Sequence, residues 1–227
     1  PVSGATSTLQ ISSTNGPNDD SLLIDAVSVT RAVPIVPDGG FENPVQPDGQ
    51  FKLGNGNGGG TLVGTLWDFS TTPSGIARNG SIWTGGDFAQ EGSQVAILRN
   101  PNSFSTTVTG FEAGVTYSLS LEAQGRGSTL GPNEFSVLLG GEPLLFSGNT
   151  ILNPGQDTWV GYTSDGFVTT GGSFELALQG LTGGDKTTFI DDIRFNFVAE
   201  AIPEPGSALL VAVAFTSSLL VRRRPVV

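Results

Sequence analysis

Residues 115–124 read VTYSLSLEAQ. Val115, Tyr117, Leu119, Leu121 and Ala123 alternate with Thr116, Ser118, Ser120, Glu122 and Gln124, and a strict period of two marks a strand with one face on a core and the other on polar surroundings. Outward from it the same pattern recurs in GTLWDFS (64–70), SQVAILR (93–99), FSTTVTGF (104–111), EFSVLLGG (134–141), WVGYTSDGFV (159–168), SFELALQGL (173–181) and TFIDDIRFNFV (188–198). Pro-Asp-Gly, Gly-Gly and Asn-Gly turns separate these runs. Short strands at this spacing, with no helix-length apolar pattern before residue 206, predict an all-β fold: an antiparallel β-sandwich or jelly roll over residues 34–199, followed by one short C-terminal hydrophobic helix.

Composition agrees and removes several function classes. The 227 residues include 33 Gly and 14 Pro, and only 14% are charged, a balance suited to many turns and few long helices. With no Cys and no His, the chain has no disulfide framework, thiolate zinc site or cysteine nucleophile, and it lacks the commonest general base. A net charge of −11 repels a nucleic-acid backbone. The run GNGNGGG (54–60) is followed by neither Lys-Ser/Thr nor a helical pattern, so it reads as a flexible loop and not as a phosphate cradle. Glu122, Glu134, Asp157 and Asp165 show no spacing that pairs them for glycoside hydrolysis. The chain is therefore read as non-enzymatic.

The two ends of the globular part resemble each other. LQISSTNGPNDDSLLIDAVSV from Leu9 and LQGLTGGDKTTFIDDIRF from Leu178 share Leu-Gln, a Gly/Asn/Asp loop, and an apolar-Ile-Asp strand. On this reading residues 1–33 are the C-terminal strands of a preceding, truncated repeat of the same domain, with Asp25 in the slot of Asp191. Pro1 in place of Met, with no signal-like segment after it, suggests that the chain begins inside a longer precursor.

Beyond Val198 the character changes. Pro203-Glu204-Pro205 precedes an apolar stretch, Ala208 to Val221, and then Arg222-Arg223-Arg224. As a helix the stretch spans about 21 Å, short of a hydrocarbon core of roughly 30 Å. The arginines would stay on the cytoplasmic side, leaving the sandwich outside. This order of parts, over residues 200–227, resembles the PEP-CTERM sorting signal. The resemblance implies recognition of Pro203, Glu204 and Pro205 by an exosortase-type processing enzyme and an intermediate anchored in the inner membrane of a Gram-negative-type bacterium. It also implies final display at the cell surface or in the extracellular matrix.

The motifs GGFENP (39–44), GIARNGS (75–81), QVAIL (94–98), GVTYSLSLEAQGRG (114–127) and GGDKTTFIDDI (183–193) make the sandwich similar to galactose-binding-like, carbohydrate-binding-module jelly rolls. One departure is Gly125, inserted between Gln124 and Arg126 where two adjacent polar residues are expected. The resemblance implies polysaccharide as a partner, and it implies a structural Ca²⁺ held by Glu42 and Asp191, whose hard oxygens suit that ion.

Asp191 is chemically the odd residue. Alternation through FIDDIRFNF places Phe189, Asp191, Ile193, Phe195 and Phe197 on one face, expected to be the core face. A carboxylate there must sit at a wet strand end, be hydrogen-bonded, or hold a metal. For sugar contact the aromatic candidates are Trp67, Trp83, Tyr117, Trp159 and Tyr162, with Arg78 and Arg99 as donors. Trp83, between glycines in NGSIWTGGDF (79–88), is the one expected at the surface, and Trp83 with Arg78 is the expected contact pair. The leading function is then a non-enzymatic exported surface or matrix protein, and the alternative is a carbohydrate-binding module for extracellular polysaccharide.

Overall fold

A computed structural model describes residues 32–56, 62–69, 73–84, 88–99, 101–127, 132–184 and 186–198. The chain divides after Ala32 into two units, and apart from Ala32 the described residues belong to the second. The strands expected within residues 1–31, most of the GNGNGGG loop, the sorting motif, the hydrophobic helix and the arginine cluster lie outside the described residues.

Eleven strands follow in order: β1 (Phe51–Leu53), β2 (Gly75–Arg78), β3 (Gln94–Arg99), β4 (Ser103–Phe111), β5 (Thr116–Gly125), β6 (Phe135–Leu139), β7 (Glu142–Pro143), β8 (Val160–Thr163), β9 (Phe167–Val168), β10 (Gly172–Gly180) and β11 (Thr187–Phe197). All named pairings are antiparallel. One sheet runs β1-β2-β3-β11-β5-β8, with β9 also on β5; the other runs β4-β10-β6-β7. Neither closes on itself. Among the described residues there is no helix, and none therefore that is long and apolar enough to cross a membrane.

The two sheets face each other across one apolar core. Tyr117, Leu119, Leu121 and Ala123 of β5 supply one side, as their alternation dictates, and Phe104, Val108, Leu176 and Leu178 of β4 and β10 the other. Each such side chain contributes roughly 1.5–3 kcal/mol on leaving water. At one end Phe41, Trp67, Phe69 and Phe104 pack ring to ring, with centroids 4.7 to 5.9 Å apart.

Two expectations need correction. The GTLWDFS run forms no strand: within it only Asp68 makes a bridge, to Ser105. Its alternation reflects Trp67 turning into the core, where the indole N–H donates to the Asp38 carbonyl at 3.0 Å.

Nor does β11 keep one face. The register against β5 slips between Asp191 and Arg194, and Asp192 sits at φ 50. This bulge inserts one residue and reverses the alternation. Ile193 and Phe195 therefore join Ile190 in the inter-sheet core, whereas Phe189 belongs to a second cluster with Leu53, Ala77, Val95 and Ile97 on the outer face of the larger sheet.

Candidate functional site

The bulge is also where Asp191 is held. Fully buried, it accepts the backbone N–H of Gln90 and Glu91 on Oδ2, at 2.6 and 2.8 Å, and that of Asp192 on Oδ1 at 2.8 Å. Burial pushes its carboxyl up to about 7, and the Glu91 charge adds to the rise, while the three N–H donors pull the other way. Glu42 treats the next residues of the same loop alike. Its Oε1 accepts the N–H of Ser93 and Gln94 at 2.7 and 2.8 Å, and its Oε2 accepts the Ser93 hydroxyl at 3.2 Å. Gly92, at φ +64, leaves room for that carboxylate, which a Cβ would strike.

The buried Gln94 answers in return: its amide N–H donates to the Phe41 carbonyl at 2.7 Å, and its Oε1 accepts the Gln46 N–H. Asp38 closes the outer turn by accepting from Glu42 and Asn43 N–H at 2.8 and 3.0 Å. The segments 38–46 and 90–94 and the β11 bulge are thus laced into one unit.

This arrangement decides how well Glu42 and Asp191 suit a calcium ion. Calcium requires an all-oxygen shell of six to eight ligands. The groups converging on these two carboxylates are instead five backbone N–H donors and one hydroxyl, and among the described residues no three acidic side chains gather as a metal site. The residues do not fit the ion. Of the alternatives open for Asp191, they fit the hydrogen-bonded carboxylate.

A different cluster occupies the outer face of the larger sheet. Leu53, Gly75, Ile97, Phe189 and Gln124 are register partners in series across five strands, and Arg99 and Thr187 pair in the next row on the same face. Over this floor lies the segment after β2, whose Trp83 packs with Phe51, ring centroids 5.9 Å apart. The guanidinium carbons of Arg126 and Arg99 sit 4.5 and 5.7 Å from the Trp83 ring centroid, within cation–π range.

Trp159 packs against the same floor from the β8 side. Gln124 is 1% and Thr187 0% exposed, yet Gln124 Oε1 and Thr187 Oγ1 have no hydrogen-bond partner in the described structure, and neither do the buried indole N–H groups of Trp83 and Trp159. Asp157 brings a carboxylate to this end, lying where a Cβ on Gly127 would be.

Of the residues expected at a sugar site, Trp83 lies here, half-buried. Arg78 does not join it: its guanidinium bonds Asp48 Oδ1 at 2.7 Å and the Gln46 carbonyl at 2.8 Å. Trp67 and Tyr117 are core residues, and Tyr162 packs against the core from β8. Arg99, Trp159, Gln124, Thr187 and Arg126 complete the group. Gly125 explains the odd spacing of two of them, since a one-residue spacer in a strand leaves Gln124 and Arg126 on the same face. Of the four acidic residues considered for hydrolysis, Asp165 engages both oxygens with the N–H groups of Ser147 and Gly148.

Solved structures of distant sequence share this sandwich. A cyclase from Fischerella sp. TAU, in complex with 4-(1H-indol-3-yl)butan-2-one, is 15% identical over 75% of this chain and 100% of that one, with a TM-score of 0.51. The likeness is one of fold. Carbohydrate-binding modules also resemble the chain. TmCBM61, in complex with β-1,4-galactotriose, is 15% identical over 74% of this chain and 100% of its own, TM-score 0.44. The CBM22-1 xylan-binding domain of Paenibacillus barcinonensis Xyn10C is 14% identical over 60% of this chain and 88% of its own, TM-score 0.44. The chain matches no protein-family model and no curated relative.

Proposed function

We propose that the chain is a non-catalytic carbohydrate-binding module, carried by an exported protein, and that it takes its ligand on the outer face of the larger sheet. The observation that carries this reading is a set of buried polar atoms on and around this face that have no partner among the described residues: Gln124 Oε1, Thr187 Oγ1 and the indole N–H groups of Trp83 and Trp159. A buried unsatisfied group costs about 1–3 kcal/mol, which a purely structural spacer has no reason to retain. Sugar hydroxyls both donate and accept, so a saccharide edge that displaces the side chains covering these atoms would partner them, with the half-buried Trp83 ring beside it. The resemblance to modules named for xylan and galactotriose accords with this reading.

A glycan array probed with the full chain tests it. Trp83→Ala should lose the bound signals while the sandwich stays folded, at a melting temperature lowered by the loss of its packing on Phe51 and the floor. Retention of every signal by that variant would place binding elsewhere.

The tail supports a second part of the reading. Pro203, Glu204 and Pro205, the apolar stretch and Arg222 to Arg224 occur in the order of a sorting signal, and we infer that an exosortase-type enzyme processes it after export. In a host bearing such an enzyme, replacing the three residues by Ala-Ala-Ala should leave the protein in the membrane fraction. Unchanged release would remove the sorting role.

A further inference from the structure

We infer that the binding face continues past Trp159 across β5 and β8, and that Glu122 there grips a neutral glycan by two adjacent free hydroxyls. This rests on the proposed carbohydrate reading and narrows it to a class of sugar. Glu122 of β5 pairs with Gly161 of β8, and Ser120 with Thr163. Leu121 and Ala123 enter the inter-sheet core, so alternation turns Ser120, Glu122 and Gln124 to the outer face. The same period in β8 sends Tyr162 toward the core and carries Trp159, Gly161 and Thr163 outward. Gly161 leaves room for the carboxylate, since a Cβ there would lie 2.9 Å from Glu122 Oε1. Glu122 thus lies over the β8 backbone in a notch, partly exposed beside the exposed Gly161 and Thr163.

Among the described residues nothing donates a hydrogen bond to the Glu122 carboxylate and no cation pairs with it. Two positions along the same face of β5, about 7 Å away, Gln124 is 1% exposed with Oε1 unpartnered. Trp159, which precedes the register partner of Ala123, is half-buried with its indole N–H unpartnered. An open carboxylate therefore borders a buried polar side chain that lacks a partner, with an aromatic ring at the margin. The acceptors decide the sugar. A carboxylate accepts without donating, and its two oxygens match two adjacent hydroxyls. Gln124 Oε1 is a further acceptor, and Asp157 sets a second, exposed carboxylate at this end, against Gly127. The guanidinium groups of this face are engaged: Arg194 pairs with Asp192 at 2.9 Å, and Arg99 and Arg126 stand on the Trp83 ring. In a chain of net charge −11, an acidic glycan meets like charge at the notch and around it. A neutral glycan brings hydroxyl donors without that repulsion. A 1,4-linked pyranose polymer leaves its 2- and 3-hydroxyls free and adjacent, whereas a 1,3-linked one leaves no adjacent pair along its length.

The experiment is calorimetric titration of the full chain, Glu122→Gln and Gly161→Ala with β-1,4-galactan, β-1,4-xylan, β-1,3-glucan and α-1,4-polygalacturonate. The expected result is binding of at least one of the two neutral 1,4-linked polymers in preference to the glucan and the polygalacturonate. Each substitution should weaken that binding about tenfold, the loss expected for one hydrogen bond to a charged group. Gly161→Ala fills the notch from an exposed position on an edge strand, so its melting temperature should stay near the parent's and separate lost binding from lost folding. Should one variant fail to fold, the other carries the test. Binding that survives both substitutions overturns the Glu122 subsite, and tighter binding of the polygalacturonate or the 1,3-linked glucan overturns the neutral diol. Either result leaves the carbohydrate reading standing. Binding of none of the four polymers overturns both.

Discussion

Asp191 and Glu42 grip the same short loop from opposite sides of the chain order. Oδ2 of Asp191 accepts the N–H groups of Gln90 and Glu91, and Oε1 of Glu42 accepts those of Ser93 and Gln94. One carboxylate comes from the last strand and the other from the loop before the first. Together they close the sandwich where its ends meet and fix the segment that follows Trp83.

Removing either carboxylate should orphan backbone donors. Asp191→Ala leaves three N–H groups without their acceptor, and at about 1–3 kcal/mol for each buried unsatisfied group the loss should be several kcal/mol. Glu42→Ala should cost less, since Glu42 is only partly buried. Because both act on one loop, the double variant should lose less than the sum of the two. Denaturant unfolding of the four proteins measures this, and strict additivity would show that the loop is not a shared element.

Metal dependence follows from the same donors. With N–H groups filling the space around both carboxylates, millimolar calcium or chelator should leave the melting temperature unchanged. A calcium-dependent rise that disappears in Asp191→Asn would instead restore the cation site.

The chain has no histidine, so the side chain that ordinarily titrates between about pH 5 and 8 is missing and Asp191 stands out in that window. Its ordinary value is 3.8, and burial raises it to about 7 in the fold. Between those values the folded state keeps a proton that the unfolded state has released, so this contribution is fully present below about pH 4 and is lost as pH rises through 7. Stability should fall from pH 5 to pH 7 by at most about 1.4 kcal/mol per unit. Asp191→Asn should flatten that slope, and an unchanged slope in the variant would assign it to another group.

Much of this fold is legible in the sequence. The β5 alternation names its own core side chains, and the turn residues bound most strands. What the sequence hides is the change of phase in β11. Nothing local in FIDDIRFNF marks a bulge; it is fixed from afar, by the Ile193 N–H donating to the Gly39 carbonyl at 3.0 Å and by the Asp191 clasp. The outer-face cluster was half visible. Trp83 stands out among its glycines, but its companions come from β3, β5 and β11, and only sheet register brings Arg99, Gln124 and Thr187 together. Arg78, adjacent in sequence to that loop, is drawn off by Asp48.

The bulge itself can be tested at Asp192, whose φ of 50 falls in the left-handed region that favours glycine. Asp192→Gly should change stability by less than about 1 kcal/mol, because the Arg194 side chain of the ion pair it gives up is 61% exposed, surface pairs contribute little, and glycine relieves the left-handed backbone. Asp192→Val should cost about 1–3 kcal/mol, since a β-branched side chain is strained there. Equal effects of the two substitutions would mean that the bulge relaxes freely.

Gln124→Leu separates a binding role from a structural one. Gln124 is buried with Oε1 unpartnered, over a floor that includes its register partner Phe189. If the residue served packing alone, an apolar side chain of similar size would pack as well and relieve the unsatisfied oxygen, leaving the protein as stable or more so. If the oxygen is kept for a ligand hydroxyl, the same substitution should hold or raise the melting temperature and weaken glycan binding by about tenfold, the loss expected for one buried hydrogen bond. The diagnostic outcome is the opposition of the two readouts, measured on one preparation by thermal melting and calorimetry. A variant that is as stable as the parent and binds as tightly would show that Gln124 is a packing residue and would move the binding face off this row of the sheet.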